Sequence, residues 1–170
     1  MNKKKGILFW ITGLSGSGKT SLALKVFNFI KKNYGPSVII SGDDLRNIFN
    51  YKKFDKNSRL KYAFSYSKFC KEITNQNINV IFSTVSLYNK VRSWNKKNIP
   101  NYLEIYIETN IEKLINEKKK HFYRTKLVNI VGKNIKAEFP KKPDIRIINN
   151  FTRSINQLKI ELIKKISLKI

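Results

Sequence analysis

Short apolar runs alternate along the chain with longer stretches in which apolar residues recur every third or fourth position. Short runs rich in β-branched and aromatic side chains are typical of buried strands, and the longer spacing is typical of helices covering a sheet. The predicted strands are 7–12, 37–40, 79–84, 102–109 and 145–148, and the predicted helices are 21–32, 58–76, 87–97, 111–118 and 152–169. This alternation predicts one α/β domain over residues 1–170, with a parallel sheet of about five strands and helices on both faces.

The turn between the first strand and the first helix reads GLSGSGKT, which fills every fixed position of the phosphate-binding pattern G-x-x-x-x-G-K-[ST]. Glycines let backbone amides approach phosphate oxygens, and the following helix directs its positive end at the same anion. Lys19 is expected to reach the β- and γ-phosphates as a catalytic residue, and the Thr20 hydroxyl to ligate Mg²⁺. The pattern indicates a P-loop kinase fold that uses ATP and Mg²⁺. The predicted ATP-binding residues are Gly13, Leu14, Ser15, Gly16, Ser17, Gly18, Lys19 and Thr20.

The formal net charge is +24, and only six of the 35 basic residues are Arg. Lysine is spread over the whole chain, and its short clusters are not interleaved with aromatic residues that would stack on bases. We therefore expect no dedicated nucleic-acid partner, and a non-enzymatic polyanion-binding protein on a kinase fold is the alternative of another class. Since no apolar run approaches the ~18 residues of a membrane span, we expect no membrane partner and a cytoplasmic location. The single cysteine, Cys70, is expected in the core.

Polar residues follow the first three predicted strands, at the edge where parallel strands end and ligands bind. Asp43 and Arg46 follow the second strand and residues 83–86 follow the third, so three loops are expected to converge on one crevice. Asp43 is the predicted catalytic carboxylate, which orients the acceptor hydroxyl or accepts its proton. Asp44 fits better as the cap of the next helix. Arg46 and Arg59 stand out among the lysines because a guanidinium fork binds an acidic group through two hydrogen bonds.

The segment 118–143 is basic and lacks clear periodicity. A long irregular stretch inside a compact domain is usually functional, and this one is predicted to be a cationic lid that excludes water from the phosphates. The alternative is a disordered basic loop. Neither an NKxD nor a DxxG motif follows the phosphate loop, which argues against a GTPase and favours a small-molecule kinase.

Five segments together resemble the adenylylsulfate (APS) kinase family, which transfers the γ-phosphate of ATP to the ribose 3′-hydroxyl of a nucleotide. They are FWITGLSGSGKTSLA at 9–23, SGDDLR at 41–46, Phe54 with Arg59 in the manner of F-S-x-x-D-R, STVSLY at 83–88, and PKKPDIRI at 140–147. The resemblance covers nearly the whole chain. It also implies a homodimer.

The resemblance implies a role for each matched residue at the acceptor. Asp43 orients the acceptor hydroxyl, while Arg46 and Arg59 bind the acidic end of the acceptor. Phe54 stacks on the acceptor base, and Val85 and Ser86 line the acceptor pocket.

Departures from the family pattern cluster at the acceptor. Ile130 stands where the family has a second Phe, so that Phe54 alone stacks on the base, and Tyr62 stands where the family has Asn. Base stacking is worth about 1–3 kcal/mol, which is enough to change the preferred base. A related branch, the cytidine diphosphoramidate kinases of bacterial capsule clusters, is similar in length and composition, and a smaller pyrimidine suits the altered pocket. The predicted substrate-binding residues are Asp43, Arg46, Phe54, Arg59, Tyr62, Val85, Ser86 and Ile130.

These features predict an ATP-dependent kinase that phosphorylates the ribose 3′-hydroxyl of a nucleotide. The preferred acceptor is cytidine diphosphoramidate, in capsule phosphoramidate biosynthesis, and adenylylsulfate is the alternative acceptor. The expected partners are ATP and this small nucleotide.

Overall fold

The computed structural model describes residues 5–116 and 129–170. The strands in these residues are β1 (Leu8–Gly13), β2 (Ser37–Ser41), β3 (Asn79–Thr84), β4 (Tyr102–Glu108) and β5 (Ile145–Ile148). The helices are α1 (Lys19–Tyr34), α2 (Gly42–Ile48), α3 (Lys56–Asn75), α4 (Asn89–Asn98), α5 (Ile111–Asn116) and α6 (Ile155–Ser167). All five strands run parallel in the order β2-β3-β1-β4-β5. The predicted α/β fold is confirmed.

The side chains of β1 alternate between two apolar layers, one on each face of the sheet. Phe9 and Ile11 pack with residues of α1 and α6, whereas Leu8 and Trp10 pack with residues of α3 and α4. On the second face the Trp10 ring lies 5.0 Å from the ring of Phe82 in β3. Because helices cover both faces of the sheet, the sequence of this central strand is a continuous apolar run and does not alternate between apolar and polar residues.

The parallel register places several loops at one edge of the sheet. Thr12 of β1 pairs with Thr84 of β3, and Ser41 of β2 pairs with Ser83 of the same strand. The loops that follow β1, β2 and β3 therefore start next to one another at this edge. The loop after β5 starts at the same edge, on the far side of β4 from β1. Candidate ligand-binding residues are brought together at this edge.

Most predicted boundaries agree closely with the observed ones, and the differences have local causes. Helix α6 begins at Ile155, later than predicted, because Ser154 forms a capping box with Gln157. Helix α1 begins at Lys19, earlier than predicted, directly after the left-handed Gly18. The predicted end of α5 at residue 118 and the first part of the predicted lid lie outside the described residues. The rest of that segment, 129–143, contains an isolated bridge between Val131 and Ile135.

Cys70 is fully buried, as predicted, and burial raises the pKa of its thiol. Within residues 5–116 and 129–170, no helix combines the length and the apolar character needed to cross a membrane.

Candidate active site

The phosphate loop connects β1 to α1 and is pressed against β4. A Cβ at Gly13 would lie 2.5 Å from the Ile107 carbonyl oxygen, so only glycine allows this close approach. Gly16 and Gly18 adopt φ angles of 86° and 92°, in the left-handed region that favours glycine. Lys19 is only 7% exposed, and its Nζ donates a 2.6 Å hydrogen bond to the Leu14 carbonyl inside the loop. The ammonium is therefore held at the mouth of the loop.

The loop is also fastened to the chain that follows β5. The Asn149 Nδ2 donates a 3.0 Å hydrogen bond to the Ser17 carbonyl, and the Phe151 amide donates to the Asn149 Oδ1 at 3.0 Å. Asn149 is buried, and its hydrogen bond to the Ser17 carbonyl is shielded from water. Sequence reasoning did not select this residue. Its position directly after β5, at the ligand-binding edge, was the available signal.

A cavity of about 310 Å³ lies in front of the loop, at the carboxyl ends of the strands. Asp43, Arg46, Val85 and Ser86 lie around it with Lys19, so the loops after β1, β2 and β3 meet there as predicted. The predicted site residues that line this cavity are Ser15, Gly16, Gly18, Lys19, Thr20, Asp43, Arg46, Arg59, Tyr62, Val85 and Ser86. Gly13, Leu14 and Ser17 are buried behind the loop surface, and neither Phe54 nor Ile130 is part of the lining.

The two adjacent carboxylates after β2 have different surroundings. Ser41 is the N-cap of α2, and Asp44 completes a capping box with it, since the Asp44 amide donates to the Ser41 Oγ and the Asp44 carboxylate accepts from the Ser41 amide. The cap therefore uses Asp44, at the third helical position, and not Asp43. Asp43 lines the cavity instead. Ser41, and not Asp44 as predicted, is therefore the capping residue itself, and Asp44 supports the cap from the third helical position. The catalytic role of Asp43 stays a prediction.

Two guanidinium groups hold the Phe54 ring beside the cavity. The Arg46 Cζ lies 4.4 Å from the ring centroid and the Arg59 Cζ lies 5.2 Å from it. Arg59 is fixed further by hydrogen bonds from its Nε to the Phe54 carbonyl at 2.7 Å and from its Nη2 to the Asn129 carbonyl at 2.9 Å. Burial and the neighbouring Arg46 charge lower the pKa of Arg59. Two cations held this close favour an anionic ligand between them.

The remaining predicted acceptor residues occupy different environments. Phe54 is 48% exposed, so part of its ring is open to solvent. The Tyr62 ring is already stacked on Tyr51, with centroids 4.0 Å apart and planes 8° apart. Ile130 is 8% exposed and belongs to an apolar cluster that includes Leu14. It follows Asn129, whose carbonyl accepts a hydrogen bond from Arg59, and it lies outside the cavity lining.

Oxygen ligands for a metal ion are present beside the loop. The Thr20 Oγ1 lies 3.3 Å from the Ser83 Oγ at the end of β3, and Asp43 lines the same cavity. Mg²⁺ prefers hard oxygen ligands and is usually held by one or two protein groups together with waters and substrate phosphates. These residues fit a Mg²⁺ ion carried by ATP.

Helix α3 contributes one face to the cavity, which sequence reasoning only partly identified. Arg59, Tyr62, Ala63 and Tyr66 line the cavity and occur at the spacing of one helical face. Tyr66 was not selected from the sequence, although its position seven residues after Arg59 indicated it. Tyr88, Ser83 and Thr84 also line the cavity and had been noted only within the loop motif that follows β3.

Comparison with known proteins identifies the group to which this site belongs. A profile of the family described as adenylylsulphate kinase matches residues 5–148. The chain belongs to the adenylylsulfate kinase family. The resemblance drawn from the motifs is thereby confirmed.

Relatives in this family match nearly the full chain. The cytidine diphosphoramidate kinase of Campylobacter jejuni is 35% identical over 98% of this chain and 99% of its own length. A probable adenylyl-sulfate kinase of Pyrococcus abyssi is 26% identical over 84% of this chain and 85% of its own length. The fold matches that of the Mycobacterium tuberculosis APS kinase solved with AMPPNP and APS, with a TM-score of 0.84 and 24% identity over 96% of this chain and 98% of that one.

Proposed function

We propose that this protein is an ATP-dependent kinase that phosphorylates the ribose 3′-hydroxyl of cytidine diphosphoramidate. The observation that carries the proposal is the full-length similarity to a cytidine diphosphoramidate kinase, at higher identity than to the adenylyl-sulfate kinase of Pyrococcus abyssi. The geometry supports a transfer reaction because one cavity joins the phosphate loop to Asp43 and two arginines.

The phosphate loop binds the donor in this proposal. Backbone amides of the loop and the start of α1 surround the phosphate oxygens of ATP, and the Lys19 ammonium stabilises the charge that spreads over the transferring group. Thr20 and Ser83 provide hydroxyl oxygens for Mg²⁺, which supplies further positive charge when bound with ATP. Phosphoryl transfer needs little covalent chemistry from the protein, so positioning and charge neutralisation account for most of the catalysis.

Asp43 acts on the acceptor hydroxyl. Because Asp44 and Ser41 form the helix cap, the Asp43 carboxylate is available to orient the hydroxyl and take its proton. Arg46 and Arg59 bind the anionic end of the acceptor through their guanidinium forks. Phe54, held by both arginines, stacks on the acceptor base.

The base preference follows from the single aromatic surface. Phe54 provides one stacking face. Ile130 stands where the family has a second aromatic residue, and its side chain is packed into an apolar cluster beside the phosphate loop. A purine gains more than a pyrimidine from a second stacking face, so the loss of that face reduces the advantage of adenine over cytosine.

The test is steady-state turnover with ATP and each acceptor supplied separately, followed by ADP release and product mass. We expect turnover of cytidine diphosphoramidate with a mass gain of one phosphoryl group and a product that resists periodate, because its ribose no longer has a vicinal diol. Adenylylsulfate kinase activity is the second candidate, favoured by the family profile and by the Pyrococcus abyssi relative. Turnover of adenylylsulfate alone would establish that candidate and refute the proposal.

Asp43→Asn tests the role given to the carboxylate. We expect a loss of kcat of about 100-fold or more with little change in ATP affinity, since orientation and proton acceptance are lost while the phosphate loop is intact. Asp44→Asn is the matched control, because it changes the neighbouring carboxylate that serves the helix cap. Equal losses in both variants would remove the catalytic role from Asp43.

A further inference from the structure

Several buried polar atoms around the cavity have no hydrogen-bond partner. Among the residues that the structure describes, these atoms are the Arg46 Nε, the hydroxyls of Tyr66 and Tyr88, and the Ser86 Oγ. Buried polar groups in native proteins are almost always hydrogen-bonded, so a cluster of unpaired ones that faces a cavity points to a ligand that completes them.

The two phenol groups are fixed in place. Tyr66 and Tyr88 are each only 4% exposed. The Tyr66 and Phe82 rings pack with their centroids 5.7 Å apart. On another side Tyr66 lies against Gly42, where an added Cβ would be 3.7 Å from the Tyr66 Cε2. Burial raises the pKa of Tyr66 to about 12 and also raises the pKa of Tyr88. Both hydroxyls therefore keep their proton at neutral pH, so that each can donate one hydrogen bond and accept others.

Each hydroxyl lies within the field of one of the two arginines. The Arg46 charge acts on Tyr66 and the Arg59 charge acts on Tyr88, in both cases opposing the effect of burial. The same arginines are the groups proposed to bind the anionic end of the acceptor. Tyr66 and Tyr88 line the same cavity as both arginines, whereas Phe54, where the base stacks, lies outside the cavity lining.

Arginine and tyrosine offer different hydrogen-bonding chemistry. A guanidinium group only donates, so Arg46 and Arg59 can satisfy anionic oxygens and nothing else. If the anionic end of the acceptor is a sulfate, it carries only oxygen atoms that accept hydrogen bonds, and donor groups on the protein are sufficient to bind it. If the anionic end is an aminophosphoryl group, it also carries N–H donors, which need an acceptor on the protein such as a phenol oxygen.

We infer that the hydroxyls of Tyr66 and Tyr88 recognise the terminal P–NH₂ group of the acceptor and distinguish it from a terminal oxygen. This inference rests on the proposed function, since it assigns part of the same acceptor site. The hydroxyls donate to a phosphoryl oxygen and accept from the amide N–H. Ser86, buried on the loop after β3, adds a third hydroxyl to the set.

The experiment compares two acceptors that differ only at that terminal group. Cytidine diphosphoramidate and CDP share the base, the ribose and both phosphorus atoms, and CDP has an oxygen in place of the NH₂ group. We expect the wild-type protein to have the higher kcat/KM with the amidate. Tyr66→Phe and Tyr88→Phe should each lower kcat/KM for the amidate about tenfold and that for CDP by only about threefold. CDP loses only a donated hydrogen bond, whereas the amidate also loses the acceptor of its N–H.

Tyr102→Phe is the matched control, because the Tyr102 hydroxyl is also buried but does not line this cavity. It should leave both kcat/KM values unchanged, and circular dichroism would verify the fold of every variant. Equal losses for both acceptors, or no change in either Phe variant, would overturn the assignment while leaving the proposed function intact. Turnover of adenylylsulfate without any cytidine nucleotide would overturn both together.

Discussion

Replacement of Asn149 by Asp tests how the phosphate loop is held. The substitution keeps the size and the Oδ1 acceptor for the Phe151 amide but replaces the Nδ2 donor to the Ser17 carbonyl by a carboxylate oxygen. Two oxygens would then face each other at the 3.0 Å separation that a hydrogen bond now spans. Because ATP binds to the conformation of the loop that this bond stabilises, the loss should appear in the affinity for ATP.

The expected loss of binding free energy for ATP has two contributions. The lost neutral hydrogen bond is worth about 1 kcal/mol, and the buried carbonyl left without a donor costs about 1–2 kcal/mol more. A total of about 2–3 kcal/mol corresponds to an increase of about 30- to 150-fold in the Kd for ATP, since about 1.4 kcal/mol is a factor of ten. Burial also raises the pKa of the introduced carboxyl, so acidification restores a donor and reduces the defect.

The assay is calorimetric titration with ATP at two pH values, together with KM for the acceptor. Asn101→Asp is the matched control, because the Asn101 Nδ2 also donates to a backbone carbonyl, that of Lys5, but at an exposed position. We expect its ATP affinity to stay within about twofold of the wild type. Wild-type affinity in Asn149→Asp would show that the loop does not depend on this contact.

Three further predictions concern stability and the acceptor site. Gly132→Ala should lower the free energy of unfolding by about 2 kcal/mol in urea titrations, because φ is +90° there and the new Cβ would lie 2.7 Å from the Leu14 Cδ2. Burial raises the pKa of Glu104 from 4.5 to about 7, so the folded state keeps a proton that the unfolded state releases between these values. Stability from this group is therefore present below pH 4.5 and lost as the pH rises to 7. Glu104→Gln should remove about 3 kcal/mol of that pH dependence, and parallel curves of unfolding free energy against pH for both proteins would contradict it. Arg59→Lys should raise KM for the acceptor about tenfold with little effect on KM for ATP, because an ammonium cannot make both of the hydrogen bonds that the guanidinium makes to backbone carbonyls. An unchanged acceptor KM would exclude Arg59 from the acceptor site.

The fold was predictable because its signals are local. The buried strand β1 is identified by its short continuous apolar run and the helix α1 by its helical period, and the glycine pattern between them requires one backbone conformation. The edge that carries the site followed from the parallel order of the strands. Asp43 could be separated from Asp44 because a helix cap depends only on residues a few positions apart.

The parts of the site that sequence reasoning missed depend on contacts between distant segments. Asn149 contacts Ser17 across 132 positions of the chain, and nothing near either residue indicates the pairing. Tyr66 lines the cavity because α3 turns one face toward β3, and that orientation is set by packing against Phe82. The stacking of Tyr62 on Tyr51 similarly arises from the approach of two elements. Propensity and periodicity carry no information on such contacts.

The most direct measurement of the proposed function is a competition between the two candidate acceptors. Equal concentrations of cytidine diphosphoramidate and adenylylsulfate are mixed with the protein, Mg²⁺ and limiting ATP, and the products are separated by mass. The product ratio at low conversion equals the ratio of the two kcat/KM values. The proposed function predicts that the phosphorylated cytidine product predominates, and a predominance of 3′-phosphoadenylylsulfate would contradict it.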